Sequence, residues 1–74
     1  MKGLKREIIE KGEGGSIYDI YILQNAKGGT HKYCSILQKT QDLELLEEKM
    51  VYFSNKKNAE KQLQIWKKEI KKDS

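Results

Sequence analysis

The residues with the most chemical potential are concentrated in the stretch "NAKGGTHKYC", residues 25–34. It contains the adjacent glycines Gly28 and Gly29, together with the chain's single histidine, His31, and its single cysteine, Cys34. A glycine-rich loop can bind phosphate through backbone N–H groups, a Cys–His pair can form a nucleophilic dyad, and both side chains can ligate zinc. The elements that flank the stretch decide among these chemistries.

The sequence on either side of the glycines predicts a β-hairpin. Residues 17–23 ("IYDIYIL") and 32–38 ("KYCSILQ") are rich in β-branched and aromatic residues and alternate with the period of two that is typical of strands. A phosphate-binding loop lies between a strand and a helix, whereas here a second strand follows. Gly28 and Gly29 can adopt the positive φ that a tight hairpin requires, so we interpret the stretch as a turn centred on them.

The Cys–His pair does not fit a reactive site. Three positions apart on a strand, His31 and Cys34 project from opposite faces. A zinc site needs further Cys or His ligands, and the sequence has no others. No other residues combine the types and spacing needed for general acid–base or nucleophilic catalysis. The sequence therefore predicts a protein that is not an enzyme, with no metal and no cofactor.

Length and composition limit the architecture around these residues. The 74 residues predict one small domain, 1–74, which buries only about 60% of the surface that its unfolded chain exposes. Dimerisation or partner binding is a common way for so small a domain to gain stability. The single cysteine, with no signal peptide or long apolar run, predicts a cytoplasmic protein without membrane association. The net charge of +4 favours acidic partners such as nucleic acid.

The strongest periodic signal predicts a C-terminal helix over residues 55–72. At about 100° per residue, its apolar residues fall in one stripe and lysines lie opposite, as in an amphipathic helix. Ser54 or Asn55 can cap its start. The stripe consists of Ala59, Leu63, Trp66 and Ile70, and the opposite lysines are Lys57, Lys61, Lys68 and Lys72.

Two further segments each fit two kinds of element. Residues 4–11 fit an edge strand or a short helix ending at Gly12, and we favour the strand because a lone hairpin is only marginally stable in water. Residues 42–53 fit a helix capped by Thr40 or a strand, and we favour the helix because apolar residues recur three and four apart. The predicted fold is α+β: a three-stranded antiparallel meander packed against the C-terminal helix. The strands are predicted near 4–11, 17–25 and 31–39, and a second helix is the favoured alternative for 42–53.

A hairpin centred on residues 28 and 29 has two distinct faces. The face with Ile20, Ile22 and Leu37 is the more apolar, and we predict that it forms the core. The other face is too apolar for plain solvent surface, so another segment, a partner chain or a ligand is expected to cover part of it. Its apolar residues are Tyr21, Leu23, Cys34 and Ile36.

A local resemblance points towards DNA binding. The segment "YFSNKKNAEKQL", residues 52–63, is similar to the junction between the last strand and the helix in the N-terminal arm-binding domains of tyrosine recombinases and in the related AP2-like domains. The similarity lies in an aromatic residue, a small capping residue, a lysine-rich turn and an Ala-Glu pair. The resemblance implies a three-stranded sheet that is backed by one helix and places its open face in the DNA major groove.

We therefore predict a small basic module that binds nucleic acid, as an accessory protein of a phage or mobile element. The alternative is a protein-interaction module, either a homodimer or an inhibitor of a partner protein, that docks through the second face of the hairpin. The predicted nucleic-acid contacts are Lys5, Tyr21, Lys27, Lys32, Lys57, Lys61 and Lys68, and the predicted contacts of the alternative are Tyr21, Leu23, Cys34 and Ile36.

Overall fold

The computed structural model describes residues 2–10, 15–24 and 31–72. The described elements are β1 (Lys2–Glu10), β2 (Ile17–Gln24), β3 (Tyr33–Gln41), β4 (Glu44–Phe53) and α1 (Lys56–Lys72). The strands form one antiparallel sheet in the order β1-β2-β3-β4, so each strand pairs with its neighbours in sequence. The predicted α+β class, with an antiparallel sheet and a C-terminal helix, is confirmed, but the sheet has four strands rather than three.

The core lies between α1 and one face of the sheet. The register of β2 and β3 pairs Ile20 with Leu37 and Ile22 with Ser35, so these four side chains share the face covered by the helix. The helix buries its predicted apolar stripe against them, and Trp66 retains only 4% of its exposure. The glycine turn predicted at residues 28 and 29 lies outside the described residues. The buried cluster consists of Ile20, Ile22, Leu37, Ala59, Leu63, Trp66 and Ile70.

Two polar contacts fix where the helix begins on the sheet. The side chain of Asn55 caps α1, because its Oδ1 accepts a 2.7 Å hydrogen bond from the backbone N–H of Lys57. The hydroxyl of Ser35, which is fully buried on β3, donates a 2.9 Å hydrogen bond to the carbonyl oxygen of Ala59. This bond joins the first turn of the helix to the centre of the sheet and satisfies the buried hydroxyl.

The helix favoured for residues 42–53 is wrong, because this segment forms β4. A two-residue turn joins β3 to β4, and both of its residues have positive φ, 52° at Asp42 and 66° at Leu43, as in a type I′ hairpin turn. Beyond the turn, Val51 and Phe53 pack against the core at the period of two expected of a strand. The helical spacing of the apolar residues was misleading because β4 has apolar side chains on both of its faces.

Candidate functional site: the open face of the sheet

The face of the sheet turned away from α1 carries an unusual number of apolar side chains. The register of the four strands places alternate residues of each strand on this side. We call this surface the open face. Its residues are Arg6, Ile8 and Glu10 of β1, Ile17, Asp19, Tyr21 and Leu23 of β2, Cys34, Ile36, Gln38 and Thr40 of β3, and Leu45, Glu48, Met50 and Tyr52 of β4.

The centre of the open face is formed by the residues predicted for a protein interface. Tyr21 and Leu23 on β2 are half-buried and lie beside Ile36 and Cys34 on β3. Cys34 and Ile36 retain only 5% and 3% of their exposure, because the flanking side chains of the open face cover them. The structure therefore brings the four predicted residues together, with Tyr21 and Leu23 more accessible than the other two.

The most exposed apolar side chains of the open face lie on the two edge strands. Ile8 on β1 is 57% exposed, while Met50 and Tyr52 on β4 are 49% and 52% exposed. Sequence reasoning missed Met50 and Tyr52 because it favoured a helix for their segment. The continuous run "MVYF" at residues 50–53, which is rich in β-branched and aromatic residues, was the signal for a strand that could have found them.

The polar side chains of the open face are paired with one another across neighbouring strands. The guanidinium of Arg6 donates two hydrogen bonds to the carboxylate of Asp19, at 3.1 and 2.6 Å, and lies 6.0 Å from the centre of the Tyr21 ring. The pKa of Arg6 is raised by its hydrogen bond with Asp19 and by the charge of that carboxylate. On the other side, the amide of Gln38 donates a 2.6 Å hydrogen bond to Glu48.

A groove of about 540 Å³ runs along the β1 side of the open face. It lies where the pairing of β1 and β2 shifts register between Gly3 and Lys5. The Arg6–Asp19 pair forms part of its wall and the ring of Tyr21 lines it. The groove combines apolar surface from Tyr21 and Leu23 with charged groups from Lys5, Arg6 and Asp19. Its lining residues are Lys5, Arg6, Asp19, Tyr21, Ile22, Leu23 and Gln38.

The geometry of the cysteine and histidine does not bring reactive groups together. Cys34 lies on the open face, and burial raises the pKa of its thiol, which favours the unreactive neutral form. Burial also raises the pKa of the Tyr21 hydroxyl. His31 is exposed and precedes β3. Within residues 2–10, 15–24 and 31–72, no three His, Cys, Asp or Glu side chains are grouped so that they could hold a metal ion.

The residues predicted to contact nucleic acid do not form one surface. Lys5 and Tyr21 line the groove, and Lys32 is exposed just before β3. Lys57, Lys61 and Lys68 are exposed on α1, on the opposite side of the sheet from Tyr21. Lys27 lies outside the described residues. The basic residues of the helix and the aromatic side chains of the open face therefore belong to two separate surfaces.

No protein-family model matches the chain, and no curated protein and no solved structure shows significant similarity to it. The resemblance to recombinase arm-binding and AP2-like domains stays a prediction. In the part of the chain that the structure describes, no helix has the length and apolar character needed to cross a membrane.

Proposed function

We propose that this protein is a protein-binding module whose open face is the binding surface. The observation that carries the proposal is the distribution of apolar groups on this face. Exposed Met50 and Tyr52 on β4 pair with Ile36 and Cys34 and continue into Tyr21 and Leu23 on β2, while exposed Ile8 lies on β1 beside Asp19. A sheet that simply faces water alternates apolar residues towards the core with polar residues towards solvent. Contiguous apolar surface of this kind is typical of an interaction site.

The charges of the open face favour a protein partner over nucleic acid. Of the two cationic residues on this side of the sheet, Arg6 is already hydrogen-bonded to Asp19 through two bonds, and Lys5 lines the groove at the β1 edge. The carboxylates of Asp19 and Glu48 lie on the same face and would repel phosphate groups. Nucleic-acid binding depends chiefly on unpaired cations that can replace counterions along the phosphate backbone. An apolar centre with internally paired charges is instead the anatomy of a protein interface.

Site-specific photo-crosslinking in cells that express the chain tests this function. A benzophenone amino acid at position 52 lies on the open face, and the same group at position 65 provides the control. Ile65 is 50% exposed on α1, close to the 52% of Tyr52, but lies on the helix rather than on the open face. We expect discrete protein adducts from position 52, lost when Met50→Lys is added, and no such adducts from position 65. Equal labelling from both positions, or adducts removed by nuclease, would contradict the proposal.

A specific observation favours nucleic-acid binding as a second candidate function. Helix α1 carries seven lysines and only two acidic residues, Glu60 and Glu69. One of these lysines, Lys67, forms a 3.0 Å ion pair with Glu7 on β1. The remaining excess of positive charge favours contact with phosphates without sequence preference.

Fluorescence anisotropy of labelled duplex and single-stranded DNA tests this second function. Titrations at two salt concentrations give the dependence of affinity on salt. If the helix binds phosphates, changing Lys57, Lys61 and Lys68 together to glutamate should weaken binding and reduce the salt slope by about 3. An absence of binding at low salt would exclude this candidate and leave the protein-binding function untouched.

A further inference from the structure

Resting on the proposed protein-binding function, we propose that the partner of the open face is a second copy of this chain. The two copies pack face to face about a two-fold axis that runs parallel to the strands, midway between β2 and β3. The size of the face, its shape and the placement of its charges each favour this arrangement.

The open face is large enough for one half of a small dimer interface. Its four strands have eight to ten residues each. At a spacing of about 4.8 Å between strands and about 3.3 Å per residue, they cover roughly 500 Å² before side-chain relief is added. A standard interface buries about 800 Å² of accessible surface on each partner, and weaker ones bury less. The open face alone therefore offers surface of the size that a modest dimer needs.

The two-fold axis sets each strand over a different strand of the second copy. A rotation about an axis parallel to the strands reverses the strand order, so β2 lies over β3 of the partner and β1 lies over its β4. The half-buried side chains of Tyr21 and Leu23 then lie opposite Cys34 and Ile36 of the partner subunit. Those two side chains are buried below their neighbours. The more accessible β2 residues of each copy thus meet the lower surface over β3 of the other.

The same axis makes the charges of the two copies complementary. Arg6 lies on edge strand β1, and Glu48 lies on the opposite edge strand, β4. The register places Arg6 in the row with Met50, and Glu48 is two residues from Met50 on the same side of β4. Crossing β1 over the partner's β4 therefore brings each Arg6 within reach of a Glu48 of the partner subunit, twice per dimer. A two-fold axis perpendicular to the strands would instead set β1 over the partner's β1 and β4 over its β4, which leaves Arg6 and Glu48 on different edges of the dimer.

Sedimentation equilibrium of the purified full chain tests the dimer. We expect a concentration-dependent mass that approaches twice the 8.6 kDa of one chain. Met50→Lys changes a half-exposed side chain of the open face, and Ile65→Lys makes a matched change on the helix at nearly the same exposure, 49% against 50%. Because an interface between identical faces contains every substitution twice, Met50→Lys should weaken dimerisation by about 100-fold if each copy contributes about tenfold. Ile65→Lys should leave dimerisation unchanged.

A charge exchange tests the orientation of the two copies. Arg6→Glu should weaken the dimer, because it sets two carboxylates against each other at both symmetric sites. Adding Glu48→Arg to that variant should restore most of the lost affinity, since it re-creates the pair with reversed polarity. Restoration is expected only when β1 lies over the partner's β4.

The inference is overturned if the chain stays monomeric up to about 0.5 mM, since even a dimer with a dissociation constant of about 0.1 mM forms at that concentration. It is also overturned if Met50→Lys leaves the dimer unchanged, or if Ile65→Lys weakens the dimer as much as Met50→Lys does. Circular dichroism and Trp66 fluorescence of each variant establish that it is folded, and Tyr52→Lys replaces Met50→Lys if that variant is not. A monomer that still forms adducts with other proteins from position 52 would overturn self-association alone and leave the proposed function standing.

Discussion

The turn between β3 and β4 provides a test of backbone strain, because Leu43 has a φ of 66° in a region that residues with a Cβ rarely adopt. We predict that Leu43→Gly stabilises the protein. The left-handed conformation costs an L-residue about 1–2 kcal/mol, and glycine removes this cost. Glycine also loses more chain entropy on folding, which offsets about 0.5–1 kcal/mol of the gain. The Leu43 side chain is fully exposed, at 104%, so its removal loses no burial. The net gain in unfolding free energy should be about 0.5–1 kcal/mol.

Urea and thermal unfolding measure this change through the single tryptophan, Trp66, which is buried in the native core and becomes exposed on unfolding. For a domain of this size the expected gain corresponds to a rise in melting temperature of about 2–8 °C. Leu45→Gly is the matched control, since Leu45 lies in β4, pairs with Thr40 and is half-exposed. It should destabilise by at least about 0.5 kcal/mol, because glycine weakens a strand. The reasoning is refuted if both variants shift stability in the same direction.

Further outcomes follow from individual contacts. Asn55→Ala should lower the free energy of unfolding by about 1 kcal/mol by removing the helix cap, and Asn55→Asp should retain most of it, as measured by urea unfolding. Ser35→Ala should cost about 1 kcal/mol through loss of the hydrogen bond to Ala59, and an unchanged unfolding midpoint would show that this bond does not anchor the helix. The Cys34 thiol should react with a disulfide reagent at pH 8 much more slowly in the native protein than in urea, because burial raises its pKa above the ordinary 9.0. Because the thiol has a higher pKa in the folded state, its contribution to the free energy of unfolding is complete below the unfolded-state pKa and is lost as the pH rises through the folded-state pKa. Cys34→Ala should therefore reduce the loss of stability in alkaline solution.

The open face and the lysine-rich helix divide the protein into two surfaces of different chemistry. The helix shields one side of the sheet and presents lysines outward, while the other side presents apolar groups and internally paired charges. A self-associated pair of open faces would leave two lysine-rich helices on opposite outer sides of the dimer. Protein binding and nucleic-acid binding could then occur on the same molecule without competing for the same residues.

The sequence by itself determined the elements whose signals are local. The helical stripe from Ala59 to Ile70 and the alternation in residues 17–23 and 32–38 each repeat with the period of one element, so they predict that element without knowledge of its partners. The same alternation predicted which side chains of β2 and β3 share a face. Tyr21, Leu23, Cys34 and Ile36 are together in the structure for this reason.

Only the tertiary structure decided the fate of residues 42–53. Their apolar spacing fits a strand but favours a helix, and the Asp42–Leu43 turn lacks the glycine that usually marks a type I′ hairpin. Pairing with β3 selected the strand, and it also placed Met50 and Tyr52 on the open face. Strand pairing joins residues distant in sequence, so its energy is invisible to local periodicity. The surface that β4 completes therefore emerges only when the four strands are assembled.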